Sequence, residues 1–201
     1  MVKAHESEPD ELIRLSEQVE KRINAMKIVK KSALKLTNEK DWVNQNGKPY
    51  LQSSGAEKIA RQFSISWRFV GEPRKEVFPD GHFQYIVTME FMLGNSTIEV
   101  MGIRSSKDPF FSTRYKEGNK IELPSTEIDS GDVLKSAISN AITNGVTRIL
   151  GLREIEWDDL KQAGIDISRI QKIEYKTQPQ QKKQEQPQQK HEQKQGTGQL
   201  L

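Results

Sequence analysis

Cysteine is absent from the 201 residues, which excludes disulfides, cysteine-held metals and thiol nucleophiles. Histidine is scarce: His5, His82 and His191 lie far apart, and no His-Glu-x-x-His spacing occurs. The chain has no Gly-x-x-x-x-Gly-Lys-Ser/Thr loop to cradle a nucleotide and no Gly-x-Ser-x-Gly nucleophile turn. Asp158 and Asp159 adjoin, but neighbouring carboxylates on a helix point apart, so capping or solvation accounts for them better than metal binding. Long apolar runs are missing too. None approaches the ~18 residues of a membrane span, and the opening MVKAHESEPDEL has no apolar centre of the kind a secretory signal carries. These absences predict a soluble, cytoplasmic protein that needs no cofactor, is not an enzyme and does not engage a membrane.

Charge of either sign is in small excess: 31 Lys and Arg against 28 Asp and Glu give +3. Residues 168–201 hold seven Lys/Arg and three Asp/Glu, a balance of +4, so residues 1–167 carry 3 − 4 = −1. A nucleic-acid role for the folded part therefore has to rest on local basic patches.

What is present is organised around residues 129–153, DSGDVLKSAISNAITNGVTRILGLR. Val133, Leu134, Ala137, Ile138, Ala141, Ile142, Val146, Ile149 and Leu150 keep a helical rhythm and predict one long helix with a broad buried face. Asp129 or Ser130 suits its N-cap, and Asp132 its first turn. The opposite face carries Ser136, Asn140, Thr143, Asn144, Thr147 and Arg148, mostly mediocre helix formers held there by packing or by use. Gly145 costs about 1 kcal/mol relative to alanine in mid-helix, which points to close approach of another backbone or a ligand.

Ahead of that helix, Leu12, Leu15, Val19, Ile23 and Met26 recur at three- and four-residue spacing and predict a packing or oligomer helix from about residue 8 to 36. Asn46-Gly47 predicts a tight turn between Trp42 and Tyr50. Ser53 or Ser54 is expected to cap a short helix through Phe63. The period then becomes alternating: strands are predicted over 65–69, 75–78, 83–93 and 97–103, with turns at Asp80-Gly81 and Gly94-Asn95. Residues 104–130 have no sustained period but interleave Arg104, Lys107, Arg114, Lys116 and Lys120 with Phe110, Phe111 and Tyr115. Cations track phosphates while rings stack on bases, so this composition suits a single-stranded nucleic acid; an irregular loop with packed rings and solvated charges is the alternative. A short element is expected over 156–163. From about 171 onward Gln, Lys, Pro and Glu predominate and predict a disordered tail.

The predicted fold is α+β: an antiparallel three-stranded meander followed by a long helix (β-β-β-α), with N-terminal helices and a disordered C-terminal tail. The expected divisions are residues 1–50 for the N-terminal helix and connecting loop, 51–170 for the core and 171–201 for the tail. That order, together with AISNAITNGVTRILGLR, resembles the Rad-fifty-two-like single-strand annealing proteins and their phage recombination relatives. The family's helix has an Ala-rich start, an acidic or amide residue before glycine, then basic residues and a Leu-rich end. Asn144-Gly145-Val146-Thr147-Arg148 through Arg153 takes that place here. The likeness covers roughly residues 55–160.

The resemblance implies ATP-independent binding of single-stranded DNA and annealing of complementary strands in recombination. It also implies a homo-oligomeric ring or filament, a phage origin, the host cytoplasm, and a partner exonuclease or single-strand-binding protein. The family sets two adjacent basic residues on the helix in its DNA groove: Arg148 matches one, while Thr147 stands where the other would be. Arg68, Arg74 and Lys75, placed by the strand reading, are candidates for the missing charge. With Arg104, Arg114, Lys116, Asn144 and Arg153 they complete the expected nucleic-acid-binding set. Two readings compete: an oligomeric assembly module with no nucleic-acid role, and a metal-dependent nucleic-acid enzyme with dispersed carboxylates.

Overall fold

The computed structural model describes residues 8–116 and 119–173, except the side chains of 8 and 9. The protein is α+β, with an N-terminal helix and several sheets. Helix α1 (Glu8–Lys35) comes first, and only its last turns (Val29, Ala33, Leu34) reach the core. The chain turns at Thr37, whose hydroxyl donates to Leu34 O at 2.7 Å and accepts from Trp42 Nε1 at 2.9 Å. Strands β1 (Trp42–Gln45) and β2 (Lys48–Leu51) form the hairpin that Asn46-Gly47 predicts, with φ of 52° and 85° at those residues.

Helix α2 (Ser53–Gln62) follows, with Gln52 rather than a serine at its N-cap and no side-chain cap bond. Ser54 is drawn away by a stronger partner, donating instead to Asp41 Oδ1 at 3.1 Å.

The central sheet is antiparallel. Strand β5 (Phe83–Leu93) pairs along its whole length with β6 (Ser96–Ser105). Its other edge is shared end to end by β3 (Ser66–Phe69), opposite Met89 to Met92, and β4 (Arg74–Val77), opposite Phe83 to Ile86. The alternation places Phe83, Val87, Met89 and Phe91 inward, all buried. Residues 104–130 are more ordered than the period predicts. Helix α3 (Pro109–Ser112) leads into a hairpin of β7 (Thr113–Lys116) and β8 (Asn119–Glu122). Four-residue strands with every side chain at least partly exposed leave no apolar alternation to detect.

Helix α4 (Ser130–Ile149) lies across the inner face of the sheet. Asp129 caps it, accepting from the amides of Gly131 at 2.6 Å and Asp132 at 3.3 Å. Helix α5 (Trp157–Gln162) follows, and Gln171–Ile173 then forms strand β9, parallel to β1. Order thus extends three residues into the segment expected to be disordered, because the ladder of β1 offers it partners; residues 174–201 lie outside the described residues. No helix among the described residues is long and apolar enough to cross a membrane.

Two contacts set how closely α4 sits on the sheet. A Cβ added at Gly102 of β6 would lie 2.2 Å from Ala137 O and 2.5 Å from Ala141 N. One added at Gly145 of α4 would lie 2.2 Å from the ring of Phe91, itself fully buried. The approach expected at Gly145 is therefore made by a core side chain, while the backbone-to-backbone approach occurs at Gly102. Gly102→Ala is expected to destabilise the fold by about 1–3 kcal/mol, the usual range for overpacking, since helix backbone cannot yield as a side-chain tip does. A urea midpoint equal to that of the unsubstituted protein would contradict this packing.

A buried charge ties α2 to the base of the hairpin. Asp41, 2 % exposed, accepts from Lys58 Nζ at 2.7 Å, the Asn38 amide at 2.9 Å and Ser54 Oγ at 3.1 Å. Burial opposes its ionisation, but Lys58, the Asn38 amide and Ser54 outweigh it and hold the carboxyl below its ordinary 3.8. A depressed folded pKa gives stability that is present above the unfolded value and lost as pH falls through the folded one. Asp41→Asn should cost about 1–3 kcal/mol near neutral pH, as expected for a buried charged hydrogen-bond set. The gap from the parent should narrow below about pH 4. Urea titrations at pH 7 and pH 3 with the same gap would refute the linkage.

Candidate nucleic-acid interface

The polar face of α4 ends beside the β1–β2 hairpin. Asn140, Asn144 and Thr147 succeed one another at helical spacing and form a half-buried stripe. Asn144 Nδ2 donates to Asn140 Oδ1 at 3.2 Å, and Asn140 Nδ2 reaches the Tyr50 hydroxyl on β2 at 3.5 Å. Thr147 Oγ1 turns back to the carbonyl of Thr143 at 2.8 Å, satisfying a hydroxyl that would otherwise compete with the helix.

The helix stops with the geometry of a glycine C-terminus. Gly151 has φ of 66°, its amide donates to Arg148 O at 3.1 Å, and the Leu152 amide donates to Thr147 O at 2.7 Å. Leu152 then buries, and the chain passes back across the hairpin through Arg153, Glu154 and Ile155. Glu154 also sits at positive φ, 66°, where a non-glycine residue is strained. The hairpin is pinned on its far side, where Trp157 Nε1 donates to Gly47 O at 2.7 Å.

Between these elements lie two adjoining depressions, about 160 Å³ and 660 Å³, which share Pro49, Tyr50, Arg153, Glu154 and Ile155. The inner one is floored by Thr143, Asn144 and Thr147; the outer one opens past Gln45, Asn46 and Lys48, with Glu156 at its edge. Arg148 stands one turn beyond Asn144 and is exposed. Neither Arg148 nor Arg153 forms an ion pair among the described residues.

The expected binding residues do not all converge here. Asn144 and Arg153 line the inner depression together, and Arg148 stands one helical turn past Asn144 outside its lining. Arg68 and Arg74 share the outer face of the sheet, turned away from α4, and each is engaged by a carboxylate: Arg68 by Glu90 at 2.6 Å and Arg74 by Glu76 at 3.0 Å. The Arg68 hydrogen bond and charge hold the Glu90 carboxyl below its ordinary range.

Lys75 and Arg104 lie at the other end of α4. Lys75 Nζ donates to Ser130 Oγ at 3.0 Å and sits 4.2 Å from the centre of the Phe83 ring. Ser130 and Arg148 are 18 positions apart, about 27 Å along the helix at 1.5 Å per residue. Arg104 faces Asp108 at 3.8 Å, and its Nε is buried without a partner. Arg114 and Lys116 are exposed on the β7–β8 hairpin, beside Tyr115 and, across the strands, Lys120.

Lys48 and Tyr50 border the groove although the sequence reading gave them no role. Their only local signal is the Asn-Gly turn between aromatics; their meeting with α4, 90 positions away, is a tertiary fact. Among the described residues no group of three or more His, Asp or Glu is arranged to hold a metal ion. No family model, curated protein or solved structure matches the chain.

Proposed function

We propose that the protein binds single-stranded DNA at the C-terminal end of α4 and anneals complementary strands without ATP, as a homo-oligomer in the cytoplasm of a phage-infected cell. The observation that carries the reading is an open groove with a polar floor and a tyrosine wall, lined by Arg153 and Lys48 with Arg148 one helical turn beyond Asn144, none of these cations in an ion pair among the described residues. Cations left without carboxylates beside a groove are suited to phosphates, and small amides and hydroxyls let a backbone lie close without a steric wall. The sheet supports the same reading if β3 and β4 are taken as one first strand interrupted at 70–73. With α3 and the β7–β8 hairpin counted as an insertion, the order is then strand, strand, strand, helix, the one the resemblance implies. An annealing protein needs no bond-breaking group: it holds phosphates, leaves base edges free to pair and brings two strands together. A partner exonuclease or single-strand-binding protein belongs to the same proposal.

The test is the rate at which two labelled complementary oligonucleotides pair, without ATP or magnesium, over a range of salt. Acceleration that fades with salt is expected, because phosphate neutralisation makes affinity fall steeply as salt rises. Arg148→Ala and Arg153→Ala should each weaken single-strand binding and lower its logarithmic salt slope by roughly 0.7, with thermal unfolding unchanged. Glu154→Gln, which removes a carboxylate from the same wall, should tighten binding. If both arginine variants bind like the parent, the groove is not the site; loss of a substrate strand on adding magnesium would favour nuclease chemistry instead.

A further inference from the structure

Every residue of α1 from 10 to 28 is exposed, so more than two-thirds of a 28-residue helix projects from the domain. An uncovered helix of that length is marginal in water, and this one is not polar all round. Leu12, Leu15, Val19, Ile23 and Met26 are 43–66 % exposed and form one narrow stripe. Their spacing of 3, 4, 4 and 3 is the same read in either direction from Val19. The fourteen positions from Leu12 to Met26 cover four turns, 3.5 per turn, the heptad spacing that keeps a stripe facing a partner helix.

Charge is divided about the same centre. Residues 10–20 hold Asp10, Glu11, Glu17 and Glu20 against Arg14, a balance of −3. Residues 21–35 hold Lys21, Arg22, Lys27, Lys30, Lys31 and Lys35 with no acid, a balance of +6.

We infer that α1 pairs with α1 of a second copy of this chain, antiparallel, about a two-fold axis at Val19. Residue n of one helix then lies level with residue 38 − n of the other. Val19 meets Val19, Leu15 meets Ile23 and Leu12 meets Met26, so one stripe covers the other over its whole length. The acidic run 10–20 of each helix lies along partner residues 18–28, which carry Lys21, Arg22 and Lys27, whereas parallel pairing would set each of these cations against its own copy. Each helix begins beside the point where its partner enters its own domain, so the two domains sit at opposite ends of the pair and do not collide. A nucleic acid fits this surface poorly, since it would meet an apolar stripe and an acidic half. The pairing is isologous and independent of the annealing reading.

The absence of cysteine makes a clean test available in the full chain. Under mild oxidation at low protein concentration, Val19→Cys should give a disulfide-linked dimer in high yield. Leu12→Cys alone should not, because its two copies would be about 21 Å apart, fourteen residues at 1.5 Å each, against the ~7 Å limit between Cα atoms of a disulfide. Leu12→Cys mixed with Met26→Cys should give the mixed dimer. Leu12→Cys linking to itself as readily as Val19→Cys would mean parallel pairing, and no linkage at any position would mean no pairing; either result overturns the proposal. In sedimentation equilibrium, Val19→Glu should halve the mass of the assembly while the urea midpoint of the domain stays unchanged, and an unchanged mass would equally refute it.

Discussion

The distance between α4 and the central sheet is the constraint on which the rest of the structure depends. It is set by Gly102 and Gly145, where the space for a Cβ is already taken by helix backbone and by the Phe91 ring. Ala137 and Ala141 complete the contact, so small residues on both surfaces let the helix lie lower than ordinary side chains permit. A rigid helix at fixed height has a fixed end. That end presents Asn144 and Thr147 to the β1–β2 hairpin, and the glycine turn at Gly151 then aims Arg153 back along it. The groove is thus a consequence of packing on the same helix, at Gly145 beside Asn144 and at Ala137 and Ala141 one to two turns before it.

The hairpin needs its own anchors, because a two-stranded ribbon is marginal alone. At one end Asp41 accepts from Lys58, Ser54 and the Asn38 amide; at the other Trp157 donates to Gly47 O. Along one edge β9 pairs with β1. These ties hold Tyr50 opposite Asn140. The partition of cations follows a similar logic. On the outer sheet face Glu90 lies directly opposite Glu99, a repulsive pair that Arg68 relieves by binding Glu90. Arg68 is therefore committed to the sheet, and Arg74 is held by Glu76. Around the groove no such acceptor holds Arg148 or Arg153, although Glu154 and Glu156 stand nearby.

Much of the fold was legible because its signals are local. The apolar rhythm of α4, the strict alternation of β5 and the left-handed turn at Asn46-Gly47 each follow from neighbours in sequence. What stayed hidden depends on partners far away. The β7–β8 hairpin has no buried face to write an alternation, and β9 is a strand only because β1 has a free edge for Gln171–Ile173. For Ser54, a buried carboxylate proved a better partner than helix amides. The candidate site divided the same way. Asn144, Arg148 and Arg153 are near one another in sequence and remain near one another in space. Arg68, Arg74 and Lys75 were placed by the strand alternation and Arg104 by its basic-aromatic stretch, and neither signal says which carboxylate a cation meets or at which end of α4 it stands.

Electrostatics then limits how the groove can work. Residues 1–167 carry a net charge of −1, so no broad positive field draws a polyanion from a distance. Beyond ~8–10 Å at physiological salt, exposed charges are largely screened. On the proposed reading, Arg153 and Lys48 at the groove with Arg148 one turn beyond would give weak, short-range holding, to be repeated over several copies to retain a strand. Under the proposed annealing, weak sites repeated over several copies would retain a strand while leaving its bases free to exchange, and an annealing protein, unlike one that only protects its DNA, requires that exchange.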